Sequence, residues 1–360
     1  MLERIAGGKV CSGQEAKLVD HCVLRQADEP FPYIVKSAGA VATGLYFDAL
    51  MPMQMLRLDA YETPFGYFRE DVTLEVDGQS KQGFAYFPDP TVKASDALWD
   101  MNEWDASHGD LSREMADEIG SYTPPLSGDA LIQQWAMIAR RAAASLRAKT
   151  DAAPANLRYA AEVGDVVISE RGPLHGAFFK SGALHLKHKT FANKRTEPLV
   201  REFFAGTDAS MLLPYDPVSD MVLLVEQMRV GPLVRGDANP WSLEPIAGMI
   251  DAFEEPEAAA LREAKEEAGL SEIALEKMFS FYASPGSTTD YFYCFLGLCN
   301  MPEVSTYTGG LEEEAEDLRL HVLPFDDAMA LLVTGEINAG PLVAMLLWID
   351  RNRLRLRTGS

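Results

Sequence analysis

Acidic side chains and one arginine crowd a short stretch of this chain, at spacings suited to chemistry on a charged substrate. Glu263 and Glu267 are four residues apart, and so are Arg262 and Glu266. Side chains four apart on an α-helix share one face. Two carboxylates at this spacing repel each other, and a cation between them would relieve the repulsion. The spacing therefore predicts a site for a hard cation such as Mg²⁺, which prefers carboxylate, water and phosphate oxygens.

The surrounding residues favour the helix that this arrangement needs. Pro256 stands near the first turn, helix-forming residues continue to Ala268, and Gly269 follows as a stop. The composition predicts a helix from Pro256 to Ala268. Before it, Gly248 permits a tight turn or a close backbone approach.

Arg262 has one acidic residue within reach on the predicted helix and another on the loop before it. Glu266 lies one turn further along the helix, and Glu254 lies back on the preceding loop. We expect Arg262 to clamp the loop to the helix through these acids. The alternative is a solvated acidic helix whose charges only keep the chain soluble.

The stretch 248–270 resembles, position by position, the signature of the Nudix hydrolases, which cleave nucleoside diphosphates linked to another group. The matching residues are Gly248, Glu254, Arg262, Glu263, Ala264, Glu266, Glu267, Gly269 and Leu270. The resemblance implies an α/β fold for the second half of the chain, an α/β/α sandwich with a mixed sheet. Apolar strands predicted at 209–214 and 221–226 suit that architecture.

Segments outside the signature resemble the ADP-ribose pyrophosphatases, in the order expected of that group. They are the runs 225–229 (VEQMR), 240–244 (PWSLE), 284–286 (SPG) and the acidic run that begins at Gly310. Pro285 stands sixteen residues after Gly269, a spacing associated with ADP-ribose preference. The likeness covers about residues 170 to 355.

By position, this resemblance implies metal ligands and catalytic residues. The metal, Mg²⁺ with Mn²⁺ as an alternative, would be held by the Ala247 carbonyl and by Glu263, Glu267 and Glu316. The catalytic residues would be Glu314, Glu266 and Arg262. Glu314 would be the general base that activates the attacking water, and Glu316 is the alternative for that role.

The resemblance also implies a substrate-binding set, with the arginines on the diphosphate. Its members would be Arg229, Arg201, Phe178, Glu244, Pro285 and Asp290. Phe178 would stack against adenine, although an aromatic ring is equally at home in a core. Asp290 is one methylene shorter than the Glu that related enzymes can carry there, so its reach would differ.

Composition limits the classes of partner. A formal net charge of −22 argues against a nucleic-acid or membrane-surface binder, because anionic phosphates would be repelled. A small nucleoside diphosphate needs only a metal and a few arginines. The four cysteines form no CxxC pair, and no apolar run approaches a membrane span, so the cytoplasm is the expected compartment. Related ADP-ribose enzymes imply a homodimer.

The first part of the chain resembles the γ-glutamylcyclotransferase-like fold, a small mixed β-barrel domain. The runs 44–46 (GLY), 58–62 (LDAYE) and 66–69 (GYFR) carry the likeness. The resemblance implies that Glu62 would be the acid/base of a possible second site. The family's YGxL loop has no counterpart before Lys9, so either the native start lies upstream or the domain lacks half its site. The alternative for Glu62 is a helix-end acid paired with an arginine such as Arg69.

These patterns divide the chain into a γ-glutamylcyclotransferase-like domain (1–125), a helical linker (126–155) and a Nudix domain (156–360). Helices are predicted at 53–61 and 130–149. Separate short β pieces are predicted at 33–35 and 40–47. The two-domain pairing resembles proteins labelled TrgB-like, but nothing in these residues explains tellurite chemistry.

The expected activity is Mg²⁺-dependent hydrolysis of ADP-ribose to AMP and ribose 5-phosphate. One alternative is a pyrophosphatase for another nucleoside diphosphate derivative, such as a nucleotide sugar or NADH. The other is a γ-glutamylcyclotransferase-like enzyme whose Nudix domain serves as a sensor.

Overall fold

The computed structural model describes residues 1–27, 29–311 and 316–358. The chain forms two compact units, Met1–Glu202 and Phe203–Ser360. Within the described ranges, no helix has both the length and the apolar character needed to cross a bilayer.

The first unit begins with a five-stranded antiparallel sheet in the order β2-β1-β3-β4, with β5 also paired to β1. Its strands are β1 (Gln14–Gln26), β2 (Pro32–Tyr46), β3 (Tyr67–Val76), β4 (Gln79–Pro88) and β5 (Ala94–Leu98). Among the described residues the hydrogen-bonded path ends at β2 and β4. The sheet is therefore open and antiparallel rather than the barrel expected from the sequence.

The β pieces predicted at 33–35 and 40–47 belong to one strand, β2. The register with β1 pairs Val19 with Val41 but His21 with Lys36, so residues between those partners bulge out of the ladder. Gly39 takes φ 79° in this bulge, a conformation that disfavours a side chain. The bulge interrupts the alternating pattern, which is why the sequence predicted two pieces.

Five α-helices of the first unit lie in the described residues, and those predicted at 53–61 and 130–149 are confirmed with slightly wider bounds. They are α1 (Leu2–Ile5), α2 (Pro52–Glu62), α3 (Met101–Trp104), α4 (Asp110–Ser121) and α5 (Asp129–Thr150). Arg141 of α5 reaches Glu118 of α4 through Nη2–Oε1 at 2.6 Å, and both side chains are largely buried. A second, three-stranded sheet contains β6 (Val166–Arg171), β7 (Lys180–His188) and β8 (Leu199–Ala205).

The second unit is built on an eight-stranded mixed sheet in the order β13-β14-β9-β10-β16-β15, with β11 on β10 and β12 on β9. The strands are β9 (Asp208–Asp216), β10 (Met221–Met228), β11 (Trp241–Glu244), β12 (Ile246–Met249), β13 (Ala274–Tyr282), β14 (Tyr291–Leu298), β15 (Thr306–Gly309) and β16 (Leu318–Pro324). The β14–β9 pair is parallel, and the other strand pairs of this sheet in the described residues are antiparallel.

Helices cover both faces of this sheet. They are α6 (Val230–Arg235), α7 (Pro256–Ala268), α8 (Phe325–Thr334) and α9 (Gly340–Thr358). Alternate residues of β9 face opposite cores: Leu212 packs with Ala260 of α7, whereas Leu213 packs with Leu346 of α9. The predicted α/β/α sandwich is confirmed, and α7 has the predicted bounds.

Candidate active site

Arg262 joins the loop before α7 to the helix by five hydrogen bonds. Its Nε and Nη2 each donate to the Glu254 carboxylate at 2.9 Å, and Nη2 also reaches the Met249 carbonyl at 3.2 Å. Its Nη1 donates to Glu263 at 2.6 Å and to Glu266 at 3.0 Å. The contacts predicted for a clamp are present. One planar guanidinium satisfies three carboxylates, which fixes the loop and the carboxylate-bearing face of α7 together.

Glu267 is the most buried acid of the cluster, with 2% of its surface exposed. The backbone of Ala247 hydrogen-bonds its carboxylate, but Oε2 has no partner among the described residues. Burial, and then the charges of Glu263 and Glu316, raise the pKa of Glu267 to about 8. A buried oxygen without a partner costs free energy unless a ligand completes it.

Glu263 lies against the backbone of β12. A Cβ placed on Gly248 would stand 1.7 Å from Glu263 Oε1, so only glycine leaves room for that carboxylate. Burial raises the pKa of Glu263, although the adjacent Arg262 opposes this and the charges of Glu266 and Glu316 add to it. The mutual influence of these acids requires them to lie close together.

The end of β15 approaches the end of α7. The amide of Gly310 donates to the Glu267 carbonyl at 3.2 Å, and a Cβ on Gly309 would stand 1.9 Å from that carbonyl oxygen. The Glu316 amide donates to the Leu311 carbonyl at 3.2 Å. This approach brings Glu316 to the cluster.

The expected general base, Glu314, lies outside the described residues, as do Glu312, Glu313 and Ala315. Its predicted role stays a prediction.

The donor chemistry of this cluster fits a divalent cation. Glu263, Glu267 and Glu316 offer hard carboxylate oxygens. A cation would satisfy Oε2 of Glu267, which has no partner in the described part of the chain. Within the described ranges, no three acidic, His or Cys side chains already stand in ligating geometry. Arg262 donates a hydrogen bond to one oxygen of Glu263. To bind a metal, this carboxylate would have to use its other oxygen, share the bonded one or rotate.

Arg229 enters the same region from the end of β10. Its Nε lies 3.0 Å from both oxygens of Glu244, and its Nη2 lies 2.6 Å from Oε2. Burial alone would lower the pKa of Arg229, but hydrogen bonds to Glu244 and the charges of Glu267 and Glu316 outweigh it and raise that pKa. The guanidinium is therefore held by Glu244 and is influenced by the charges of the carboxylate cluster.

Two predicted substrate-binding residues lie around the loop after β13. Pro285 is exposed there. Asp290 accepts a hydrogen bond from the Thr288 hydroxyl at 2.5 Å, and a Cβ on Gly206 would stand 1.7 Å from its Oδ1. Asp290 thus packs closely against the backbone between β8 and β9, an environment that the sequence did not indicate.

Arg201 and Phe178 belong to the first unit. Arg201 donates to the neighbouring Val200 carbonyl at 2.9 Å. Phe178 is exposed, with its ring 5.0 Å from that of Phe179 in an edge-to-face arrangement. The core alternative for Phe178 is therefore wrong, because about half of the residue (52%) is exposed. Its stacking on adenine and the diphosphate contact of Arg201 stay predictions.

Glu62, also in the first unit, does not pair with Arg69. The Arg69 guanidinium binds Asp59 at 2.8 Å, and the Tyr86 hydroxyl donates to the same carboxylate at 2.8 Å. Arg69 and Tyr86 are cross-strand partners facing α2, so both reach Asp59, one turn before Glu62. The arginine-paired alternative is therefore wrong. Glu62 has no polar partner among the described residues, and burial raises its pKa to about 7.

Comparisons with known proteins agree with this geometry. Residues 207–346 match the model of the NUDIX domain, and residues 2–106 match that of the gamma-glutamyl cyclotransferase, AIG2-like family. The chain belongs to the Nudix family and is a Nudix hydrolase acting on pyrophosphate bonds, joined to a gamma-glutamyl cyclotransferase, AIG2-like domain.

The chain is similar in sequence or fold to several individual proteins. An ADP-ribose pyrophosphatase of Haemophilus influenzae is 35% identical over 195 residues, covering 54% of this chain and 89% of its own. A GDP-mannose pyrophosphatase of Escherichia coli O1:K1 / APEC is 31% identical over 154 residues, covering 43% of this chain and 79% of its own. A solved structure described as an ADP compounds hydrolase gives a TM-score of 0.43 at 22% identity, covering 55% of this chain and all of its own.

Proposed function

We propose that this chain hydrolyses the diphosphate of ADP-ribose to AMP and ribose 5-phosphate in an Mg²⁺-dependent reaction. The observation that carries the proposal is the buried Glu267 carboxylate, one oxygen of which has no partner among the described residues, beside Glu263, Glu316 and Arg229. The ADP-ribose pyrophosphatase relatives support this choice of substrate.

The ion that we assign to the carboxylates would neutralise diphosphate charge and lower the pKa of a bound water. The protein's own residues have separate tasks. Glu263, Glu267 and Glu316 would hold the ion, Arg262 fixes the helix face, and Arg229 would draw a phosphate oxygen to the cluster by its charge. We keep Glu314 as the general base, with Glu316 as the alternative. Water adds to one phosphorus, the bridging P–O bond breaks, and two phosphomonoesters leave.

Product analysis of the purified chain with ADP-ribose and excess Mg²⁺ tests the proposal. We expect AMP and ribose 5-phosphate in equal amounts from the wild type. Glu267→Gln should reduce kcat by roughly a thousandfold or more, because it removes the innermost charge of the ion site.

The matched control is Glu257→Gln, which changes an exposed acid in the first turn of the same helix. It should leave turnover within twofold. Near-normal turnover by Glu267→Gln would remove the assignment of this cluster as the catalytic centre.

A second substrate class is supported by the GDP-mannose pyrophosphatase relative. Both substrates carry the same diphosphate, so the carboxylate cluster does not distinguish them. Measuring kcat/KM for ADP-ribose and GDP-mannose side by side decides between them. We expect ADP-ribose to be preferred at least tenfold, and the reverse ratio would transfer the assignment to nucleotide sugars.

The first unit supports a second candidate activity, the cyclisation of a γ-glutamyl amine. The supporting observation is Glu62, which lacks a polar partner among the described residues and whose burial raises its pKa to about 7, within the range of a general acid/base. Release of 5-oxoproline from a γ-glutamyl amine, lost in Glu62→Gln but not in Glu70→Gln, would establish it. Without 5-oxoproline from the wild type, this candidate is withdrawn.

We also propose that the chain forms a homodimer. Every residue of β6 is exposed, including the apolar Val166, Val167 and Ile168. Consecutive exposed apolar residues on a strand are unfavourable in water and suit a protein interface. Light scattering after size exclusion should give twice the chain mass, and Val167→Asp should shift it towards the monomer.

A further inference from the structure

A pocket of about 490 Å³ opens in the second unit, away from the carboxylate cluster. Its apolar floor includes Leu224, Leu243 and Leu323, which pack with the core under α8 and α9. The carboxylate cluster lies on the other side, where α7 packs. Pockets of roughly 300–1,000 Å³ are the usual size for small-molecule sites.

Strand β11 separates the two locations. Successive side chains on a strand point to opposite faces, so Trp241 and Leu243 share one face and Ser242 and Glu244 the other. Trp241 and Leu243 line the pocket, whereas Glu244 holds Arg229. The pocket is thus a separate site from the one that we assign to hydrolysis.

The indole of Trp241 provides a broad aromatic wall. Trp241 is 55% exposed, although tryptophan is among the most strongly buried residues on average. Its amide donates to Asn239 Oδ1 at 3.1 Å, an anchor that holds the start of β11. A half-exposed indole over an apolar floor is suited to stacking a flat ring.

The rim carries groups that recognise uncharged polar atoms. Asn239 and Asn338 present carboxamides, which can read the donor and acceptor edge of a heterocyclic base. Glu226 presents a carboxylate whose Oε2 lies 2.8 Å from His321 Nε2. Carboxylates bind ribose hydroxyls in nucleotide sites, and Glu226 retains a second oxygen for such a contact.

The charges of the lining argue against a phosphate group. Glu226 and Glu336 both line the pocket, and no Lys or Arg of the described chain is among its lining residues. The nearby Arg319 is directed at Glu226, with Nη1 3.4 Å from Oε2. An anionic ligand would meet repulsion that a neutral ligand avoids.

We propose that this pocket binds an uncharged nucleoside, its base stacked on Trp241 and its ribose hydroxyls on Glu226. The aromatic wall, the carboxamide rim and the acidic lining each select for one part of that ligand. The site is independent of the hydrolytic one and does not require a metal.

Isothermal titration calorimetry of the full chain with adenosine, in EDTA, tests this site while metal-dependent binding is suppressed. We expect one saturable event. Trp241→Leu, which keeps an apolar side chain but removes the stacking surface, should weaken binding at least tenfold. Glu226→Gln should weaken adenosine binding severalfold and should affect 2′,3′-dideoxyadenosine less, because that ligand lacks the hydroxyls.

The matched control is Tyr282→Leu, which removes an aromatic ring of similar exposure (51%) elsewhere in the unit. Tyr282→Leu and Glu267→Gln should both bind adenosine like the wild type. Circular dichroism establishes that each variant is folded.

The proposal is overturned by absent saturable binding in the wild type, or by binding that Trp241→Leu leaves unchanged. Binding lost in Glu267→Gln would place the nucleoside in the hydrolytic site instead. AMP binding tenfold tighter than adenosine would show that the site takes an anion, against the charges of its lining.

Discussion

The guanidinium of Arg229 and the carboxylate of Glu244 form a two-point ion pair between the end of β10 and β11. Nε stands 3.0 Å from both carboxylate oxygens and Nη2 stands 2.6 Å from one of them. Only 15% of the Glu244 side chain is exposed. Because both oxygens of Glu244 already accept from Arg229, we propose that this acid acts through the arginine, as a positioning residue.

We expect Glu244→Gln to raise KM for ADP-ribose roughly tenfold while changing kcat severalfold at most. The amide keeps one acceptor but loses the charge that orients the guanidinium, at a cost of about 1–2 kcal/mol in kcat/KM. Steady-state kinetics separates the two parameters. Glu276→Gln, which breaks the more exposed Glu276–Arg355 pair, is the matched control and should be silent.

Arg262→Lys tests the clamp. Lysine keeps the charge but not the planar fork, so it can satisfy one carboxylate where Arg262 satisfies three. We expect kcat/KM to fall by roughly 10–100-fold. Arg355→Lys, at an exposed pair, should retain full activity, and equal activity in the two variants would contradict the clamp.

Gly248→Ala should impair catalysis more than stability. The added methyl group would meet Glu263 Oε1 at 1.7 Å, and the flexible carboxylate end can swing away at little cost to the fold. We expect the Mg²⁺ concentration for half-maximal activity to rise at least tenfold, since Glu263 leaves its place.

The control for Gly248→Ala is Gly231→Ala, whose Cβ meets nothing within 4 Å. Thermal melts of both variants should stay within a few degrees of the wild type. A large loss of melting temperature in Gly248→Ala, with unchanged Mg²⁺ dependence, would contradict the prediction.

From the raised pKa of the buried Glu62 carboxyl, we expect the stability of the protein to depend on pH. Burial raises its pKa to about 7, so between pH 4.5 and 7 the native state binds the proton that the unfolded state has released. The stabilisation from this group is fully present below pH 4.5, the pKa of the carboxyl in the unfolded chain. It is lost as the pH rises through about 7, the pKa in the folded chain. The loss should reach at most ~3 kcal/mol.

Urea titrations at pH 5 and pH 7.5 measure this difference. Glu62→Gln should reduce the fall in unfolding free energy between those pH values, relative to the wild type. Glu70→Gln, which removes an exposed charge from β3, should retain the wild-type difference. A wild-type difference retained in Glu62→Gln would assign the pH dependence to other groups.

Local patterns predicted the features that depend on near neighbours in sequence. The bounds of α7 followed from Pro256, the helix-forming run and Gly269, and the clamp followed from the spacing of Arg262, Glu254 and Glu266. These are interactions within about two turns, where chain geometry alone brings side chains together.

Features that join distant segments needed the tertiary structure. The pairing of β10 with β11 brings Glu244 to Arg229. The pairing of β3 with β4 places Arg69 beside Tyr86, and both contact Asp59 rather than Glu62. The sequence shows all of these charged residues but does not predict which of them pair. Pairing across a sheet depends on strand order and register. Burial, which leaves one Glu267 oxygen without a partner within the described ranges, arises only when both cores have packed against the sheet.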